Sequence, residues 1–177
     1  VLAYAMTGPL QILLPKLARD VLELNELQRG AYLGLLALSL IAGGITALAL
    51  ARHLRHGPVI LGGVVVGGLV FALLSHIANP AFSAAALAGV GLAGGMVISL
   101  VVAGIQARAP EALRGRVMGM YAITSQVVPA ASGVAAGALT SAVGVTQAIA
   151  LAGLGLALVV ALAAWRMGAL RGYSAKA

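Results

Sequence analysis

Apolar runs long enough to cross a lipid bilayer follow one another along almost the whole of this sequence. A helical crossing needs about 20 predominantly apolar residues. Only 8% of the residues are charged and 62% are hydrophobic, whereas a soluble domain carries roughly 25% charged residues. Within lipid, every backbone polar group must be bonded inside the protein, which leaves helices or a closed barrel. Barrel strands alternate polar and apolar residues, and these runs are apolar throughout, so the sequence predicts an all-α membrane protein.

Six transmembrane helices are predicted, at residues 1–17, 30–51, 58–77, 81–107, 117–140 and 145–170. Asn79–Pro80 marks a turn between the third and fourth spans. Asn25 and Gln28 have the spacing of a capping box at the start of the second span. The first span is short and the chain begins inside it at Val1, so we expect an upstream segment to be missing.

The basic residues predict the orientation of the bundle. Connections between helices alternate sides, and one side then receives eight of the eleven Lys and Arg residues but only Glu111 among the acids. These eight are Arg52, Arg55, Arg108, Arg114, Arg116, Arg166, Arg171 and Lys176. Cytoplasmic loops of membrane proteins carry the excess of Lys and Arg. The sequence therefore predicts a multi-pass protein with its C-terminus in the cytoplasm.

Polar side chains form stripes along four of the six spans. The stripes are Tyr4, Thr7 and Gln11; Ser39 and Thr46; Ser99 and Gln106; and Tyr121, Thr124, Ser125 and Ser132. The third and sixth spans are apolar almost all round. A polar face in lipid is unfavourable unless it meets other helices or water. We therefore expect four inner helices around a shared polar cavity and two outer ones, although hydrogen bonding between helices could explain any single stripe.

Small residues recur four positions apart in three of the spans. The pairs are Gly63 with Gly67, Gly91 with Gly95, and Gly133 with Gly137. Such pairs let helix backbones approach closely, so the pattern predicts tight packing and is a weak signal of function.

Several function classes are excluded by the residues present. The chain has no cysteine, so it forms no disulfide and no thiolate metal site. An intramembrane serine protease needs a histidine on a later helix, but all three histidines precede Ser132. His53 and His56 lack a third metal ligand nearby. Aromatic residues make up only 4% of the chain, too few for base stacking. We expect no catalytic residue, metal, cofactor or nucleic-acid partner.

One segment carries a family resemblance. Residues 110–121 read Pro-Glu-Ala-Leu-Arg-Gly-Arg-Val-Met-Gly-Met-Tyr and are followed by Pro129, Gly133 and Gly137. This string resembles the connection between the tenth and eleventh helices of the major facilitator superfamily. It looks most like the bacterial exporter branch that includes enterobactin-type siderophore exporters and macrolide efflux proteins.

The resemblance implies that the six spans are helices seven to twelve, the C-terminal half of a transporter in the bacterial inner membrane. Such a transporter exports small molecules by alternating access, and its partners would be the substrate, the bilayer and a missing N-terminal half. The inner helices of the superfamily match the four striped spans. The expected cavity residues are Tyr4, Gln11, Ser99, Gln106, Tyr121, Thr124 and Ser125.

Arginines at the predicted cytoplasmic end form the expected gate or anchor, namely Arg52, Arg55, Arg114 and Arg116. Residues 48–51 contain no acid to pair with them, which departs from the superfamily's loop motif. Pro129 with Gly133 predicts a hinge, because proline removes a helical hydrogen bond and glycine eases bending. A non-transporting six-helix scaffold or assembly subunit stays an alternative, since polar stripes would also suit partner helices.

Overall fold

The computed structural model describes residues 2–50 and 56–166, where every regular element is helical. In chain order the elements are α1 (Leu2–Ala5), α2 (Thr7–Lys16), a π-helical turn (Leu17–Val21), α3 (Glu26–Leu50), α4 (His56–Leu74), α5 (Pro80–Arg108), a 3-10 turn (Glu111–Leu113), α6 (Arg114–Val143) and α7 (Val145–Arg166). Among the described residues, five helices, α3 to α7, are long and apolar enough to cross a membrane. The prediction of an all-α membrane protein is therefore confirmed.

The first predicted span is a broken helix. It consists of α1, α2 and the π-helical turn, and it continues to Val21 instead of ending at residue 17. Pro9 has no N–H to bond the carbonyl of Ala5, and the chain breaks at Met6 between α1 and α2. Beyond Pro15 the bonding pattern widens, with Leu22 N donating to Leu17 O at 3.0 Å. Two prolines in a short segment thus divide this span into three pieces.

Side-chain caps define two of the helix starts. Asn25 N donates to Gln28 Oε1 at 3.0 Å, and Gln28 N donates to Asn25 Oδ1 at 2.9 Å. This reciprocal pair is the predicted capping box of α3. At the start of α5, Asn79 Oδ1 accepts from Ala81 N at 2.9 Å, and Pro80 occupies the first turn, where its missing N–H is not needed. Both turn predictions are confirmed.

Glycines set the closest helix contacts. The helices pack as α3 against α5, α4 against both α5 and α7, and α2 against α6. A Cβ atom on Gly43 of α3 would overlap the carbonyl of Leu92, and one on Gly95 of α5 would overlap the carbonyl of Leu40. Where α4 packs on α7, a Cβ on Gly68 would lie 2.9 Å from the carbonyl of Gly153. These glycines allow backbone to pack directly on backbone.

Apolar side chains divide between a buried core and an outward-facing surface. The core joins α2, α4, α5 and α7 through fully buried residues such as Leu13, Leu14, Phe71, Leu87 and Ile149. The outer surface carries exposed leucines at helical spacing, for example Leu151, Leu154, Leu158 and Leu162 along α7. A stripe of this kind is stable against lipid chains and would be unfavourable in water.

Candidate functional site

Two tyrosines connect the first and fifth predicted spans. The Tyr4 hydroxyl on α1 and the Tyr121 hydroxyl on α6 form a hydrogen bond across 117 positions of sequence. Their rings meet edge to face, with centroids 5.8 Å apart and planes at 73°, a favoured aromatic geometry. The structure thus brings together two residues that the sequence analysis assigned to one cavity.

A partly open cavity of about 360 Å³ lies between the helices next to the broken span, and Gln11 and Pro15 in its wall are exposed. Two polar side chains line it, Thr7 and Gln11, both on α2. The rest of the wall is apolar and comes from α2, α3, α4, α5 and α7, including Met6, Leu10, Leu36, Leu40, Val97 and Ile98. The volume is within the range of small-molecule sites, which combine mostly apolar walls with a few polar groups.

The prolines of the first span leave backbone carbonyls without their helical hydrogen bonds. Pro15 lines the cavity and has no N–H, so the Gln11 carbonyl cannot receive a helical hydrogen bond from residue 15. Pro9 affects the carbonyl of Ala5 in the same way. Irregular backbone at membrane depth is tolerated where it lines a cavity or is buried in protein. Discontinuous helices of this kind form substrate sites in many transporters.

No ionisable side chain lines this cavity among the residues that the structure describes. The four acids lie elsewhere: Asp20 in the π-helical turn, Glu23 in a loop, Glu26 at the first residue of α3 and Glu111 in the 3-10 turn. Asp20 is exposed and pairs with its neighbour Arg19 at 3.7 Å. The described part of the cavity wall therefore offers hydrogen bonds but no charged side chain.

The other predicted cavity residues lie outside this wall. Ser99 on α5 faces α3, with its Oγ 2.9 Å from the position of a Cβ on Gly44. Gln106 is exposed near the end of α5. Thr124 donates to Met120 O at 2.9 Å and Ser125 to Ala122 O at 2.8 Å, both within α6. Of the seven predicted residues, Gln11 lines the cavity, and Tyr4 pairs with Tyr121.

The sequence of this chain matches a protein-family model. A model of the Major Facilitator Superfamily matches residues 1–133 of the 177. The chain belongs to the Major Facilitator Superfamily. Membership indicates a membrane transporter, and members of the superfamily are generally not enzymes. Neither a search of curated proteins nor a search of solved structures found a match.

The predicted hinge lies at a helix crossing of this superfamily member. Pro129 and Gly133 are both buried on α6, where α2 packs against it. Ser132 Oγ donates to Pro129 O at 3.2 Å. A Cβ on Gly8 of α2 would overlap Pro129 O, Ser132 Oγ and Gly133 N. Proline and glycine thus lie at a close backbone contact between the first and fifth spans.

The structure describes two of the four arginines that are predicted to form the gate. Arg114 and Arg116 are exposed in the first turn of α6, at the same end of the bundle as Arg108 and Arg166. Arg52 and Arg55 lie outside the described residues, as do Arg171 and Lys176.

Two features of this superfamily member were not expected from the sequence. The third span, predicted to lie outside, contributes Gly63, Val64, Gly67 and Gly68 to the cavity wall as part of α4. The spacing of Gly63 and Gly67 could have indicated this contribution, because a helix face without side chains leaves space for a cavity. The second feature is a buried hydrogen bond of 2.7 Å between Tyr32 on α3 and Ser83 on α5. Neither residue belongs to a stripe long enough to reveal it.

Proposed function

We propose that this chain is the C-terminal six-helix half of a secondary active transporter that exports drug-like or siderophore-like small molecules by alternating access. The main support is the 360 Å³ cavity beside a helix broken at its prolines, in a chain of the Major Facilitator Superfamily. The chemistry is binding and conformational exchange. The scaffold alternative is not favoured by membership of a transporter superfamily.

The cavity wall supports one substrate class over the other. Burying a charged group without a partner is strongly unfavourable, and the described lining has no charged side chain. Thr7 and Gln11 offer a hydroxyl and an amide. An uncharged, largely apolar drug-like molecule with a few hydrogen-bonding groups fits this wall better than a multiply charged siderophore.

The proposal includes the bacterial inner membrane as location, with the C-terminus in the cytoplasm. Its support is the clustering of Arg108, Arg114, Arg116 and Arg166 at one end of the helices, together with the positive-inside rule. In this arrangement Arg114 and Arg116 anchor the cytoplasmic end, and Pro129 with Gly133 is the flexible point of α6. The missing N-terminal six-helix half of the same chain completes the transport pathway.

Binding of an uncharged fluorescent drug to the transporter produced from the complete gene tests this function. We expect Gln11→Ala to weaken binding about two- to twelvefold, because a hydrogen bond contributes roughly 0.5–1.5 kcal/mol. Gln147→Ala is the matched control, since Gln147 is exposed near the start of α7 and does not line the cavity. Equal affinities for wild type and Gln11→Ala would show that the cavity is not the substrate site.

A further inference from the structure

A second cavity opens between α4, α5 and α6 at the end of the bundle that carries the arginines. Its volume is about 490 Å³. Apolar side chains line it, including Ile60 and Leu61 from α4, Val101 and Ile105 from α5, and Val117 from α6. We call it the Arg108 groove, because Arg108 is the only charged side chain lining it within the described part of the chain.

The groove lies where α5 and α6 make few contacts with each other. α6 packs mainly on α2. Ala109 and Pro110, in the connection between α5 and α6, form part of the groove's wall. The apolar part of the Arg108 groove thus follows α4 and α5 and ends at the side chain of Arg108.

We propose that the Arg108 groove binds an anionic phospholipid, with an acyl chain against α4 and α5 and the phosphate at Arg108. Charge complementarity favours this occupant. Arg108, Arg114 and Arg116 lie within nine positions of one another, opposed only by Glu111. Basic pockets between transmembrane helices recognise anionic headgroups in this way. The apolar wall contacts only the acyl chain of the lipid, and all phospholipids have acyl chains. The charge of the headgroup therefore provides the selectivity for anionic phospholipids.

A purely structural role for Arg108 predicts different behaviour. Arg108 is in the last turn of α5, where a positive charge interacts favourably with the helix dipole. That interaction stabilises the protein equally in any lipid. A phospholipid site instead makes the effect of Arg108 depend on whether the bilayer contains anionic lipid.

The test uses the full-length protein reconstituted in nanodiscs of phosphatidylcholine, with or without phosphatidylglycerol. Native mass spectrometry after detergent extraction gives the ratio of phosphatidylglycerol to phosphatidylcholine retained on the protein. We expect Arg108→Gln to lower this ratio about fivefold, from the usual contribution of one basic residue near an anionic surface. Arg108→Lys should retain most of it, and millimolar inorganic phosphate should not compete.

Arg166→Gln is the matched control, because it removes the same charge from the same end of the bundle but does not line the groove. Val101→Trp fills the groove and should reduce retention of phosphatidylglycerol while leaving Arg108 in place. If the Arg108 and Arg166 variants lost phosphatidylglycerol to the same extent, general surface charge would explain the effect and the proposal would be overturned. So would unchanged retention in Arg108→Gln, or a thermal destabilisation of that variant that is the same in both lipid mixtures. Drug binding at the Gln11 cavity is measured separately, so either site can fail without the other.

Discussion

Gly8 on α2 lies against the backbone of Gly133 on α6, and the space around the two glycines is unequal. A Cβ on Gly8 would overlap three atoms of α6, at Pro129, Ser132 and Gly133. A Cβ on Gly133 would meet Ile12 Cγ1 at 3.4 Å and Gly8 O at 3.6 Å, which are ordinary contacts. The crossing therefore requires glycine on α2 and permits a larger residue on α6.

Gly8→Ala should destabilise the protein, because the methyl group forces two helix backbones apart. Overpacking of this kind typically costs about 1–3 kcal/mol. Gly133→Ala is the matched variant and should be neutral or slightly stabilising, since alanine is the better helix former. Thermal unfolding of both variants in detergent compares them directly. Equal losses of stability would contradict the asymmetric crossing.

The Tyr4–Tyr121 pair should show energetic coupling between α1 and α6. Either Tyr→Phe substitution leaves the other hydroxyl without its partner. The double variant should therefore lose less free energy of unfolding than the two single variants lose in sum. Interhelical hydrogen bonds in membrane proteins couple by about 0.6 kcal/mol, with a maximum near 1.7 kcal/mol. A double-mutant cycle on reversible unfolding in mixed micelles measures this energy.

Tyr32→Phe combined with Tyr4→Phe is the control for that cycle. The Tyr32 hydroxyl bonds Ser83 on a different helix pair, so these two substitutions should be additive. A coupling energy near zero for Tyr4 with Tyr121 would mean that the pair does not hold α1 on α6.

Pro129→Ala should slow transport more than it weakens substrate binding. Alanine restores the N–H that can bond the Ser125 carbonyl and so stiffens α6 at the predicted hinge. Pro129 does not line the cavity, so the dissociation constant should change little. Turnover and equilibrium binding, both measured with the complete transporter, separate the two effects. A variant that turns over as fast as wild type would argue against a hinge at this position.

Gln11→Ala should alter substrate affinity without shifting the pH profile of transport. A proton carrier must be an ionisable group within the membrane, and the described cavity lining has none. Asp20→Asn and Glu111→Gln should leave the profile unshifted as well, because both acids lie in turns outside the long helices. Initial transport rates across a pH series provide the measurement. A displaced profile in any of the three variants would show that this chain takes part in proton coupling.

The sequence was sufficient to predict the helical class and the helix caps. These features depend only on overall composition or on residues close together in the chain. The scarcity of charge requires a lipid environment, and this alone leads to helices. The capping pair of Asn25 and Gln28, and the Asn79 cap before Pro80, depend only on neighbours within three positions. The polar stripes follow from the helical repeat, which placed Tyr4, Thr7 and Gln11 on one face.

Only the tertiary structure decided which faces meet. Helical periodicity gives the direction of a side chain around its own axis, but not the neighbour that it reaches. The polar residues of α5 and α6 illustrate this limit: Ser99 packs beside Gly44, and Thr124 bonds its own helix. The glycine face of α4 instead lines the cavity, although that span has no polar stripe. Close packing through Gly43, Gly95 and Gly8 sets the helix pairs, and those pairs determine where space remains for a ligand.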